Sequence, residues 1–102
     1  MNDSTKPACA WAQPIVENIG VKYFSRNEGG TQDLYRIDDM ILHVCIGCGF
    51  MILYPIGTRP TAGKYFRGYF KDPGSLKNFI TKNLPLDENG KIKIEAPASE
   101  KQ

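Results

Sequence analysis

Histidine and tryptophan occur once each in these 102 residues, and cysteine three times. An odd cysteine count does not build a disulfide framework. Residues 1–7, Met-Asn-Asp-Ser-Thr-Lys-Pro, lack the apolar run of a secretory signal. Both absences point to a reducing, cytoplasmic setting. The uncharged apolar stretch 40–56 falls a residue or more short of a membrane span and is broken by His43, Gly47, Gly49 and Pro55. It reads instead as a fully buried pair of strands. Acid is scarce between residues 59 and 82, where Asp72 alone faces Arg59, Lys64, Arg67, Lys71, Lys77 and Lys82. The formal net charge of +2 therefore conceals a local excess of base that attracts an anionic partner.

What is present describes one small globular domain. Its hydrophobic content of 41% and aromatic content of 11% exclude a disordered chain, and its length suits a single core. The expected domain covers 8–95, with polar, frayed tails at 1–7 and 96–102. Segment 8–16, with Trp11 among small residues before Pro14, is expected to be irregular and folded back on the core. Residues 21–26 alternate as a first strand, and Asn27-Glu28-Gly29-Gly30-Thr31 supplies a turn. A second strand begins near Leu34 and runs into the uncharged centre, with a bulge at Asp38-Asp39, since two adjacent acids cannot both face a core.

From Met40 both faces of the strand are apolar, with Leu42 and Val44 on one and Ile41, His43 and Cys45 on the other. Cover on both sides is therefore expected. Gly47-Cys48-Gly49 acts as a three-residue hairpin loop, and 50–54 returns antiparallel. Periodicity alone also admits a buried helix here, but the Gly-x-Gly break, the β-branched and aromatic content and Pro55 favour strands. Residues 64–71 make a further strand. Asp72 or Ser75 then caps a helix whose apolar stripe is Leu76, Phe79, Ile80 and Leu84, ended by Pro85. Asn89-Gly90 turns into an edge strand, 91–95, with Ile92 and Ile94 inward. The expected fold class is α+β, an antiparallel meander of four to five strands with one amphipathic helix packed on it.

Two clusters carry possible chemistry. Cys45-Ile46-Gly47-Cys48-Gly49 is a C-x-x-C-G that resembles one knuckle of a zinc ribbon, in which a tight turn points two thiolates at one ion. A structural zinc site needs four ligands, and Cys9 and His43 are the only other Cys or His residues, so a site of Cys9, His43, Cys45 and Cys48 would consume them all. A ribbon also carries a second C-x-x-C, which this chain lacks. The competing reading makes the cysteines small buried hydrophobes and His43 a hydrogen-bonded core residue, and it is preferred, leaving no cofactor expected. A nucleophilic Cys–His pair lacks an evident orienting acid, and a redox C-x-x-C would open a helix in a βαβ context absent here. No enzyme is expected.

The second cluster is the 64–71 strand, Lys-Tyr-Phe-Arg-Gly-Tyr-Phe-Lys. It places Tyr65, Arg67, Tyr69 and Lys71 on one side, and Phe66, Gly68 and Phe70 on the other. Cations interleaved with rings suit single-stranded nucleic acid, and Tyr and Arg equally anchor protein interfaces. The ordinary alternative makes Phe66 and Phe70 core, with the rest a half-exposed face. The total charge is low for a dedicated nucleic-acid binder. The sequence therefore leads to a non-catalytic binding protein, an inhibitor or adaptor for an acidic or nucleic-acid-associated protein. Its expected surface is Arg59, Lys64, Tyr65, Arg67, Tyr69 and Lys71. Binding of single-stranded nucleic acid is the alternative.

Overall fold

The uncharged centre folds as a hairpin, and everything else is arranged about it. The computed structural model describes residues 7–26 and 32–93. In chain order these form a 3-10 turn Ala10–Ala12, α1 (Gln13–Glu17), β1 (Lys22–Arg26), β2 (Asp33–Ile37), β3 (Met40–Cys45), β4 (Phe50–Pro55), a 3-10 turn Pro60–Ala62, β5 (Lys64–Arg67) and α2 (Pro73–Asn83). The class is α+β. One sheet holds five antiparallel strands in sequence order β1-β2-β3-β4-β5, a meander with two helices.

Several expectations change in detail. Asp38-Asp39 is a two-residue turn between β2 and β3, with Ile37 opposite Met40, and no bulge. Asp38 takes φ +50, a conformation that its short polar side chain tolerates, and both acids stay exposed. The bulge of this sheet lies in β1, where the register shifts between Tyr23 and Ser25. Between Cys45 and Phe50 the loop is 46–49, four residues, because Ile46 leaves the ladder.

Gly49 in that loop has φ +78, and a Cβ there would lie 2.6 Å from the Gly68 carbonyl oxygen. Gly68 N–H in turn donates to Gly49 O at 3.0 Å, so this contact ends β5 at Arg67, short of the eight residues expected. Beyond it Phe70 is fully buried, with its ring 4.4 Å from that of Phe79.

The segment after Pro7 is helical, because Pro14 sits in the first turn of α1, where its missing N–H costs nothing. Trp11 stays 38% exposed while Ala12 and Val16 enter the core. α2 starts as expected: Asp72 accepts the Ser75 N–H at 2.9 Å and the Ser75 hydroxyl at 3.1 Å. After it the chain makes a single bridge, Leu86 to Ile92, in place of an edge strand. Ile92 N–H donates to Ile19 O at 2.7 Å. The 27–31 turn, both tails up to residue 6 and from residue 96, and Ile94 lie outside the described residues. No helix among the described residues is long and apolar enough to cross a membrane.

The register sorts side chains into two faces. Rows Tyr35–Leu42–Leu53 and Asp33–Val44–Met51–Phe66 face one way. They pack with Val16 of α1, with Leu76, Phe79 and Ile80 of α2, and with Ile19, Val21, Phe70 and Ile92 to form the core. The helices therefore occupy one side of the sheet, and the expected cover on both sides of β3 is not what forms.

Asp33 is 3% exposed on the helix-covered side. Its carboxylate accepts the Ala8 N–H at 2.6 Å and the Cys9 N–H at 3.2 Å, which ties the start of the described chain to β2. Asp33→Ala orphans both amides, and a loss of about 1–3 kcal/mol in unfolding free energy is expected from urea melts. An unchanged midpoint would show that the tie contributes nothing.

Candidate binding surface and the cysteine–histidine cluster

The other face of the sheet has its own composition. Rows Arg36–Ile41–Tyr54, Leu34–His43–Ile52–Tyr65 and Cys45–Phe50–Arg67 all point away from the core. None of these residues belongs to the cluster that α1 and α2 complete. They are nevertheless shielded by one another. Ile41 lies in register between Arg36 and Tyr54 and is only 4% exposed, and Tyr54 is buried as well.

The rings form a continuous group. His43 lies 5.8 Å from Phe50 and 6.5 Å from Tyr54, and Phe50 stacks on Tyr65 at 5.6 Å. At the β1 edge the Arg36 guanidinium sits 5.9 Å over the Phe24 ring, a cation–π contact. Tyr65 and Phe24 remain more than half exposed. The cations of this face are Arg36 and Arg67, joined by Lys22, which pairs with Arg36. The strand positions in these rows include no carboxylate.

Of the residues that the sequence singles out for binding, Tyr65 and Arg67 join this surface. Lys64 occupies the alternate position on β5, in the row of Leu53, with its side chain exposed. Arg59 lies just before the Pro60–Ala62 turn, and Tyr69 and Lys71 follow the end of β5; all three are exposed but off the strand ladder. The strand reading thus gathers two of the six. It also misses Phe24, Leu34, Arg36, Phe50 and Ile52, whose period-two alternation was legible but whose common face depends on register.

The cysteines and the histidine are not one cluster. Cys9 packs against the helix-covered core, and burial pushes its thiol up. His43 and Cys45 are on the opposite face. Among the described residues no three His, Cys, Asp or Glu side chains come together as ligands of one ion. A four-ligand site within one chain is therefore not assembled. His43 Nε2 bonds to Gln32 Oε1, and its Nδ1 is buried with no partner among the described residues, so no hydrogen bond joins His43 to Cys45. At the hairpin loop Cys48 N–H donates to Cys45 Sγ at 3.2 Å. Cys45 is buried and Cys48 exposed.

Compared with protein families, with curated proteins and with solved structures, the chain matches none.

Desolvation lowers the pKa of His43, because charging the ring places a proton on an Nδ1 that has nothing to donate to. With the folded value below the ordinary one of about 6.5, the neutral ring's stabilising contribution is complete above that pH and is lost as pH falls through the folded value. Melting temperature should drop between pH 7 and 5, and His43→Gln should flatten that drop. An equal slope in the variant would assign the effect to other groups.

Proposed function

We propose that this chain is a non-catalytic binding protein that docks on another protein through the open face of its sheet. The observation that carries the reading is the composition of that face. Its middle row runs Leu34, His43, Ile52 and Tyr65, between Ile41 and Tyr54 on one side and Cys45 and Phe50 on the other, with Arg36 and Arg67 at opposite corners. Apolar and aromatic side chains with Arg at the margins are the anatomy of a protein interface and its hot spots. Cations without a facing carboxylate select an acidic partner and speed its approach.

A nucleic-acid platform would instead offer exposed rings for successive bases. On this face Tyr54 is buried and Phe50 and His43 are half-buried, leaving Tyr65 and Phe24 as the freely exposed rings. Protein contact is favoured for that reason. Catalysis finds less support, because His43 is committed to Gln32 and not to a cysteine. The role is that of an inhibitor or adaptor, and three unpaired cysteines suit the cytoplasm.

Three measurements test this. Arg67→Ala and Tyr65→Ala should shift unfolding by no more than about 0.5 kcal/mol, as exposed positions do, while abolishing partner capture. A photo-crosslinker at Tyr65 should trap that partner, whereas one at Lys77 on α2 should not. Crosslinking only from Lys77 would move the site to the helices. Tight anisotropy binding of a single-stranded oligonucleotide, with a steep salt slope, would replace the protein reading with the nucleic-acid one.

A further inference from the structure

The loop between β3 and β4 carries a group that the binding surface leaves unexplained. Cys45 closes β3 and Cys48 stands two residues before β4. The turn is held by the Gly49 N–H, which donates to Cys45 O at 2.9 Å, and by Gly49 itself, at a φ that few other residues adopt. Within it the Cys48 N–H is aimed at Cys45 Sγ, at 3.2 Å. An amide directed at a sulfur is a donor that a metal-bound sulfur keeps. A neutral pair of small buried hydrophobes needs no such donor.

We propose that Cys45 and Cys48 are half of a tetrathiolate zinc site, completed by the same two residues of a second copy of this chain. Zinc bonds to sulfur are about 2.3 Å long, so tetrahedral geometry sets neighbouring sulfurs about 3.8 Å apart, a separation that two cysteines three residues apart in one tight turn can reach. Binding replaces the S–H protons with the metal and leaves the amide donor in place to share the sulfur charge. A structural zinc ion takes four ligands, and this chain offers two in one place. Cys9 is across the sheet, the His43 Nε2 is held by Gln32, and no third ligand gathers there among the described residues.

Access and charge both fit a second copy. Gly47 and Cys48 are exposed, and a Cβ at Gly47 would meet no atom within 4 Å, so the tip of the hairpin is open to approach at Cys48, with Cys45 buried directly behind it. Four thiolates around a divalent ion leave two negative charges. The hairpin tip, 46–49, carries no Asp or Glu, and Arg67 shares the row of Cys45 and Phe50 beside it. Because each copy gives the same two residues, the contact is isologous and closes as a dimer about a two-fold axis.

The test uses the full chain, reduced, stripped with a chelator and titrated with zinc alone. Sedimentation should show a zinc-dependent shift from monomer to dimer, with one ion bound per two chains by metal analysis. Cobalt in place of zinc should give the intense sulfur-to-metal bands of an all-thiolate tetrahedral site. Cys48→Ser alters an exposed side chain and should keep the native circular dichroism while losing both the ion and the dimer. Cys9→Ser should keep both. One ion per monomer, no dimer with saturating zinc, or loss of the site in Cys9→Ser would each overturn the proposal. Cys45 and Arg67 share a row of the open face, so the Tyr65 variant, one row away, is the one that tests that surface separately.

Discussion

The register of β3 against β4 is the constraint on which this structure depends. Cys45 opposite Phe50 at one end and Met40 opposite Pro55 at the other fix which residue of every pair looks at the helices. Slipping the pairing by one residue would turn Leu42 and Val44 outward and drive His43 and Cys45 into the core. Such an exchange would bury an imidazole among aliphatic side chains and strip α2 of its counterpart. The cost falls on both faces at once, so the hairpin is specified although both of its faces are apolar. Gly49 reinforces the choice, since its contact with Gly68 admits no side chain and sets where β5 must end.

From that register follows a division of labour between the two sides of one sheet. The helix-covered side holds the folding core and keeps its one buried acid, Asp33, satisfied by two amides. The other side is apolar as well, yet it is covered only by its own rings and cations. A sheet face of this kind stays partly hydrated, and its exposed Tyr65 and Phe24 are where water is most readily displaced. The positive charge noticed between 59 and 82 is therefore only partly a property of the binding face. Arg67 joins it, whereas Lys77 and Lys82 ride on α2.

The element types were largely legible because they rest on local rules. Alternation marked the strands, the Asp72 cap and the Leu76, Phe79, Ile80, Leu84 stripe marked α2, and the Gly-x-Gly break marked the central hairpin. Less was legible where the decision is not local. Asp38-Asp39 looks like a bulge to anyone counting acids, but a left-handed aspartate makes it a turn. The short α1 has no apolar period of its own; burial of Val16 holds it, and the turn before it is held by burial of Ala12 and by the tie of Ala8 and Cys9 to Asp33. Site residues suffered most: Tyr65 and Arg67 were visible as a pattern in one strand, but Leu34, Arg36, Phe50 and Ile52 join them only through pairings that span three other strands. Cys9, equally, could be counted with Cys45 and Cys48 but not placed on the far side of the sheet.

The meander order has a consequence for how the chain reaches this structure. Every strand pairs with its neighbour in sequence, so the sheet assembles from hairpins whose loop-closure entropy is small and needs no long search. One hydrogen bond breaks that locality, from Ile92 N–H to Ile19 O, and Lys91 Nζ adds a second beside it to Asn18 O at 2.7 Å. These join the two ends of the described chain across the largest separation of any pair that binds it. They complete the fold late and act as a clasp, slowing its unfolding more than they speed its formation.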